Sequence, residues 1–181
     1  MKRIISVVFL TAAFAVGVVA QTSPEIEKAV AAAPRQMQAG ATVIKWKSDF
    51  TYDTLRKGTN RMVCYERPTV GGQPAFSVEC TSIANLERVS QSLKMETITN
   101  AQERQAAFEA AEKAGKWTKP EFGSVFYSMT GADQATARVH ATIAVPGATA
   151  QSLGLPENGN QGGAWLMNAG TSAAHIMTPG H

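Results

Sequence analysis

The sequence lacks the short motifs that mark the commonest enzyme active sites. It has no Gly-x-Ser-x-Gly elbow, no His-Glu-x-x-His zinc motif, no Walker loop and no Gly-x-Gly-x-x-Gly dinucleotide motif. A glycine-rich stretch at 159–163 has no lysine after it and no strand-to-helix setting, which favours a connecting loop over a phosphate site. These absences argue against nucleotide-dependent enzymes and zinc proteases.

An excess of charge of one sign is also lacking. The chain has 17 Lys and Arg against 14 Asp and Glu, and two of the basic residues, Lys2 and Arg3, stand at the N-terminus. Without those two, the remaining chain has 15 basic and 14 acidic side chains and a net charge near +1. Charge therefore gives no argument for binding nucleic acid or an anionic membrane surface.

Only one long apolar run is present, and it follows Lys2 and Arg3 directly. A short basic region, an apolar run over 4–19 and small residues at 18–20 are typical of a secretory signal peptide, which we place at 1–20. The run is close to the length that spans a bilayer, so an uncleaved anchor is the alternative. We expect a periplasmic or secreted mature protein that begins near Gln21 and has no stable membrane anchor.

Cysteine is scarce, with only Cys64 and Cys80. Both lie in short strand-like stretches, and Gly71-Gly72 stands midway between them, where a hairpin turn needs residues that tolerate positive φ. An even cysteine count in an exported chain favours a disulfide. We therefore predict a Cys64–Cys80 disulfide across an antiparallel hairpin. Two free thiols for metal binding or redox work are the alternative.

The remaining pattern runs from strands through helices to strands again, which predicts a single α+β domain with a mainly antiparallel sheet. A short N-terminal helix and linker at 21–38, with Ser23 as cap, Pro24 at the first helical position and Pro34 ending it, precede the domain at 39–181. We expect this helix to be loosely docked. Strands are predicted at about 41–47, 50–57, 61–67, 75–80, 123–131 and 137–147, with two more on either side of the turn at 168–171.

The segment 82–116 has helical periodicity. Ile83, Leu86, Leu93 and either Val89 or Ser90 fall on one stripe, and Thr99 with Gln102 resembles a capping box for a second helix. The stretch 97–99 favours a break, and the sequence is compatible with either one helix or two over 82–116. Gly115 is placed at the C-terminal cap.

Histidine is rare, and two of the three histidines stand near the C-terminus. On the strand interpretation His175 and Met177 share one face of the last strand, and His140 lies on the polar face of an earlier strand. If those two strands are neighbours, His140, His175 and Met177 form a nitrogen and sulfur set that suits copper, with zinc as the other metal considered and Met129 as an alternative thioether. His181 lies beyond Pro179-Gly180 and is expected to be a loose terminal residue. The alternative is ordinary strand residues.

Two further roles remain open. His140 or His175 could act as a general base in a hydrolase, and Ser128 and Asp133 lie near His140 in the sequence. Trp46, Tyr127 and Trp165 are candidates to line a small apolar ligand pocket, with core packing as the alternative.

Three stretches, KGTN followed by Cys64 (57–64), VHATIAVP (139–146) and AHIMTP (174–179), resemble a family of exported bacterial proteins of unassigned function. The likeness covers about residues 40–179. This chain has Arg61-Met62-Val63 where the family has an aromatic residue before the cysteine, and Arg138-Val139 where it has Gly-Pro before the histidine. The resemblance implies export to the bacterial envelope and carries no activity.

Together these observations predict an exported bacterial protein that binds a small molecule or a metal without catalysis. A hydrolase and an interaction module for another envelope protein are the alternatives.

Overall fold

One eight-stranded sheet with helical segments on both faces organises residues 23–70 and 74–179, which are described by a computed structural model. The predicted signal peptide, the Gly71-Gly72 turn and His181 lie outside the described residues. The strands are β1 Thr42–Trp46, β2 Tyr52–Arg56, β3 Met62–Glu66, β4 Phe76–Ser82, β5 Val125–Gly131, β6 Arg138–Ala144, β7 Trp165–Met167 and β8 His175–Met177.

Five α-helices accompany these strands in the described chain. They are α1 Pro24–Ala29, α2 Arg35–Gln38, α3 Leu86–Glu96, α4 Ala101–Lys113 and α5 Ala150–Leu153. Short 3₁₀ turns occur at Val30–Ala32, Ile83–Asn85 and Gly159–Gln161.

The strand order across the sheet is β2-β1-β3-β4-β5-β6-β8-β7. Only the β1–β3 pair is parallel, and every other neighbouring pair is antiparallel. This arrangement confirms the predicted single α+β domain with a mainly antiparallel sheet. Because β6 pairs with β8, β7 forms one edge of the sheet and β2 forms the other.

The two faces of the sheet are covered by different parts of the chain. The N-terminal face carries Val43, Cys64 and Val78 and is covered by residues 26–37. The α3 face carries Ile44 and Tyr65, and there Leu86, Val89 and Leu93 of α3 pack against the strands. The fully buried aliphatic side chains among them, such as Val43, Val78, Ile44 and Leu93, each contribute about 1.5–3 kcal/mol by leaving water.

The disulfide forms as predicted. Cys64 lies directly opposite Cys80 in the antiparallel β3–β4 ladder, the two sulfurs are bonded, and both residues are completely buried. The bond faces the N-terminal segment, and Ala29 lies in the same cluster. It therefore ties the two central strands together at the core of that face.

The N-terminal segment is more firmly packed than the sequence indicated. Ser23 caps α1 and Pro24 opens it, as predicted, and Pro34 separates the 3₁₀ turn from α2. However, Ala29, Val30 and Ala32 are each at least 93% buried in the core cluster. The expectation of loose docking is wrong, because small side chains let this segment lie close to the sheet.

The KGTN stretch, residues 57–60, connects two parts of the chain through hydrogen bonds. The Gly40 carbonyl accepts from the backbone N–H groups of Thr59 and Asn60 at 2.8 and 3.0 Å. The Asn60 side chain donates to the Met37 carbonyl at 2.9 Å. A Cβ atom at Gly58 would collide with the backbone at Thr42, so only glycine fits there. The stretch thus fastens the β2–β3 connection to the start of β1.

Two helices, rather than one, occupy 82–116. They break at 97–100, as the Thr97-Ile98-Thr99 run favours, and Gly115 follows the end of α4 with a φ of 66°. The predicted capping box at Thr99 is wrong, because Asn100 is the cap and its Oδ1 accepts from Gln102 and Glu103. Ile83 also departs from the predicted stripe and is 45% exposed, because it precedes α3 in a 3₁₀ turn.

No helix in the described part of the chain is both long and apolar enough to cross a bilayer.

Replacing Cys64 and Cys80 together by Ala is expected to lower the free energy of unfolding by about 3 kcal/mol, because the bond closes a loop between residues 16 positions apart. Urea denaturation measures the change. Ser77→Ala in the same strand is the control, since the Ser77 hydroxyl has no hydrogen-bond partner in the structure. Two titratable thiols in the unfolded, unreduced protein would contradict the disulfide.

Candidate functional site

A cleft opens on the α3 face of the sheet, between α3 and strands β4, β5, β6 and β8. Its cavity measures about 220 Å³, and we call it the α3 cleft. Charged and hydrogen-bonding side chains from four elements converge on it, together with apolar groups of the helix and sheet. The main lining residues are Arg67, Glu79, Arg88, Val89, Ser92, Leu93, Glu96, Phe126, Thr142, Ala144 and His175.

A buried cluster of charged residues forms one end of the cleft. Arg67 continues the β3 ladder through a 2.9 Å bond from its N–H to the Ser77 carbonyl. Its guanidinium donates to Glu79 Oε2 at 3.1 Å and to both carboxylate oxygens of Glu96 at 2.7 Å. The Tyr65 hydroxyl donates to the other oxygen of Glu79. This network fixes the C-terminal turn of α3 to the centre of the sheet.

Burial and charge within this cluster shift the pKa values of Tyr65 and Arg67. Burial, and then the nearby Glu79 carboxylate, raise the pKa of the Tyr65 hydroxyl well above its ordinary value of 10.0, so it remains a donor. Burial alone would lower the pKa of Arg67, but Glu79 and Glu96 outweigh it and raise that pKa. The exposed side-chain fraction is only 19% for Arg67 and 10% for Glu79. The positive charge of Arg67 is therefore balanced by carboxylates of the protein itself.

Arg88 lies at the other end of the cleft and, unlike Arg67, forms no ion pair with a described residue there. Its guanidinium donates to the Thr118 carbonyl at 3.0 Å and stacks on Trp117, 4.5 Å from the ring centroid. Burial lowers the pKa of Arg88 to about 10, only partly opposed by Glu112, so the group stays charged at neutral pH. None of the six ion pairs in the described chain includes Arg88.

The connection between β7 and β8 forms the rim of the cleft beside Arg88. The backbone N–H of Ser172 donates to Glu112 Oε1 of α4 at 2.9 Å. Ala173 and Ala174 line the cavity, and the His175 Nδ1 lies 2.8 Å from the Ala173 carbonyl. Ala144 stands opposite His175 in the β6–β8 ladder, and its small side chain leaves the space that the cleft occupies.

The structure brings the two predicted histidine strands together but not the two histidines. β6 and β8 are neighbours, and His140, His175 and Met177 all face the α3 side. The register nevertheless sets His175 opposite Ala144, four residues from His140, which is about 13 Å along the strand. His140 Nε2 is buried without a hydrogen-bond partner. A His140–His175 pair is therefore not formed.

The alternative thioether, Met129, is set apart from the last strand. Met129 lies on the N-terminal face, opposite Val78 and Val139, and cannot meet His175 or Met177. Within 23–70 and 74–179 no three His, Cys, Asp or Glu side chains converge as metal ligands.

A hydrolytic triad is not assembled around His140. Ser128 stands opposite His140 in the β5–β6 ladder, but its hydroxyl donates to the His140 carbonyl at 3.4 Å rather than to the ring. Asp133 lies in the turn, where its carboxylate accepts from the N–H and hydroxyl of Thr136. The geometry thus gives Ser128 no base.

The three predicted ligand-binding aromatics lie in separate places. Trp46 packs edge-on to Tyr65, with ring centroids 5.5 Å apart, next to the α3-face core. Tyr127 lines an apolar groove on the opposite face, and Trp165 packs on Gly159 at the β7 edge. They do not form one pocket.

Sequence reasoning missed Arg67, Glu79, Arg88 and Glu96. The one available signal was the alternation Ser77, Glu79, Thr81 along β4, which indicates a polar face. That face would ordinarily be assigned to solvent, but all three residues are buried.

Comparison with protein-family models, with curated proteins and with solved structures finds no match.

Arg67→Met is expected to lower the free energy of unfolding by about 3–5 kcal/mol, because it leaves the buried Glu79 carboxylate without its cation. Adding Glu79→Gln should recover part of that loss. Arg61→Met is the matched control: Arg61 pairs with Glu121 but is 76% exposed, so about 1 kcal/mol or less is expected. Equal losses in the two arginine variants, measured by urea denaturation, would refute the buried-pair assignment.

Glu112→Gln is expected to weaken the acid sensitivity of the fold. Ser172, whose hydroxyl and backbone N–H face the carboxylate, lowers the pKa of Glu112 below its ordinary value of 4.5. Such a group stabilises the fold above that value, and the contribution is lost as the pH falls through the lowered pKa. Urea midpoints measured between about pH 5 and 3 should therefore fall less steeply in this variant. Glu109→Gln, an exposed position on the same helix, should follow the wild-type curve.

Proposed function

We propose that this protein is an exported binding protein that holds a small anionic molecule in the α3 cleft without catalysis. The observation that carries the proposal is Arg88, a partly buried cation that lines the cavity and has no carboxylate partner in the described chain.

The contrast between the two arginines of the cleft supports an external partner for Arg88. Arg67 is matched by two carboxylates, and its hydrogen bonds are directed into the protein. Arg88 donates one hydrogen bond, to the Thr118 carbonyl. Stacking on Trp117 holds the guanidinium plane in place, which lowers the entropy lost when a planar anion binds. A carboxylate is the natural match for that fork of N–H donors.

The distribution of charge favours binding at one end of the cleft. Arg88 and Glu96 lie eight residues apart on α3, about 12 Å along the helix axis. The end at Glu79 and Glu96 has two carboxylates against the single positive charge of Arg67 and so keeps an excess of negative charge. At the other end, Glu112 is the carboxylate that acts on Arg88, and His175 and Ala173 line the cavity there. An anionic group therefore fits best between Arg88 and His175.

The rest of the cleft suits the apolar part of a small molecule. Val89, Leu93 and Phe126 provide its apolar wall and floor, and Thr142 offers a hydroxyl. A cavity of about 220 Å³ lies below the usual range of about 300–1,000 Å³ for sites that enclose drug-sized ligands. We infer a ligand of small-metabolite size, such as a short organic acid.

An envelope location accords with this role. The N-terminal stretch has the composition of a secretory signal, and the Cys64–Cys80 disulfide is typical of oxidising compartments. The resemblance to exported bacterial proteins supports the same location.

The test is a panel of small aliphatic and aromatic carboxylates, first by thermal shift and then by calorimetry. Arg88→Gln is expected to weaken binding of the best carboxylate at least about tenfold, because a charge-assisted bidentate contact is lost. Lys94→Gln is the matched control, since it removes one positive charge from an exposed position on the same helix.

Wild-type protein that binds none of these carboxylates would overturn the proposal. So would Arg88→Gln protein that binds them as tightly as wild type.

A further inference from the structure

We propose that Met167, His175 and Met177 form a binding site for a soft monovalent metal ion, Cu(I), on the β7–β8 hairpin. The inference does not rest on the α3 cleft, although His175 borders both places. Its starting point is the register of the last two strands, in which Met167 lies opposite His175 and Trp165 lies opposite Met177.

The register places all four side chains on one face of the sheet. Directly opposed residues in an antiparallel pair project to the same side, with Cβ atoms about 4.5–5.5 Å apart. The intervening pair, Leu166 and Ile176, points to the other side and packs in a separate apolar cluster. Two thioethers and one imidazole thus stand on the α3 face within two residue positions of one another.

His175 is already prepared to act as a ligand. Its Nδ1 lies 2.8 Å from the Ala173 carbonyl, which can only accept a hydrogen bond. In the neutral ring, this contact places the proton on Nδ1 and leaves the lone pair of Nε2 free for a metal ion. A backbone carbonyl that fixes the second ring nitrogen is the usual way in which proteins orient a metal-binding histidine.

The two methionines complete a set of metal ligands that favours soft metal ions. Met167 is 39% exposed and Met177 is partly buried, so neither is locked in the core. The long, flexible thioether side chain reaches several ångströms from its Cα atom. Thioether sulfur with imidazole favours Cu(I) over Zn(II), and no cluster of His, Cys, Asp and Glu in the described residues offers a competing site.

Trp165 adds an aromatic group beside the proposed site. It stands directly opposite Met177, and its ring rests against Gly159. An indole face is the best aromatic partner for a cation. A bound ion next to it would also quench its fluorescence, which provides an optical signal.

His140 lies outside this set. It is a diagonal neighbour of Met177 but stands four residues from His175 along the ladder. The ladder sets it about 13 Å along the strand from the position opposite His175, which is beyond the reach of an ion held by Met167 and His175. The proposal therefore differs from a site shared by His140 and His175, and variants can separate the two.

The experiment titrates the purified protein with Ag(I), a redox-inert probe for Cu(I), and with Cu(I) under anaerobic conditions. Native mass spectrometry gives the stoichiometry, and competition with a chromogenic Cu(I) chelator gives the affinity. We expect one ion per chain. Met167→Leu and Met177→Leu should each weaken binding at least about tenfold, and His175→Gln should remove it. Leucine keeps the volume of methionine, so the fold is preserved.

Three controls locate the site. Met129→Leu on the opposite face, His140→Gln and His181→Gln should bind Ag(I) within about threefold of wild type. Trp165→Phe should retain the ion but lose most of the fluorescence change. Arg88→Gln should also bind Ag(I) normally, which separates this site from the proposed anion cleft.

The proposal is overturned if the wild-type protein takes up no Ag(I) or Cu(I) at one equivalent. It is equally overturned if the Met167 and Met177 variants bind like wild type, or if His140→Gln weakens binding as much as His175→Gln does. Retention of Zn(II) with an affinity matching that of Cu(I) would refute the selectivity argued from the thioethers.

Discussion

The ion pair between Arg67 and the buried Glu79 determines how the α3 face of the sheet is organised. A carboxylate in the middle of a central strand is costly to bury, and it is tolerated because Arg67 and the Tyr65 hydroxyl surround it. Arg67 then extends to Glu96 at the end of α3. The helix is thereby held over β3 and β4 and leaves a cleft above β5, β6 and β8.

The two faces of the sheet consequently differ in how they are covered and in which side chains they carry. The N-terminal face is closed by small side chains of the N-terminal segment and by the disulfide, and its interior is almost entirely apolar. The α3 face combines an apolar cluster beneath the helix with charged side chains in the cleft and methionines on the last two strands. Both proposed binding sites lie on this second face, because there the helix covers only part of the sheet.

Several features of this chain are encoded locally and can be predicted from the sequence. The Cys64–Cys80 register follows from the symmetric position of the glycine pair between two short strands, and the break between α3 and α4 follows from three residues of low helix propensity. The Ser23 and Pro24 helix start is equally local. The Asn100 cap was missed by one position, which is the usual error at a helix end.

The fold class, the disulfide and the position of most strands can be predicted from the amino-acid sequence, because strand alternation, turn residues and helix periodicity are short-range signals. Which side chains meet depends on how the strands pair in the folded sheet. The pairing of β6 with β8 across the skipped β7 set His140 apart from His175, and the β7–β8 register placed Met167 opposite His175. A strand pattern fixes which face a residue occupies, whereas its cross-strand partner depends on a register formed by distant segments.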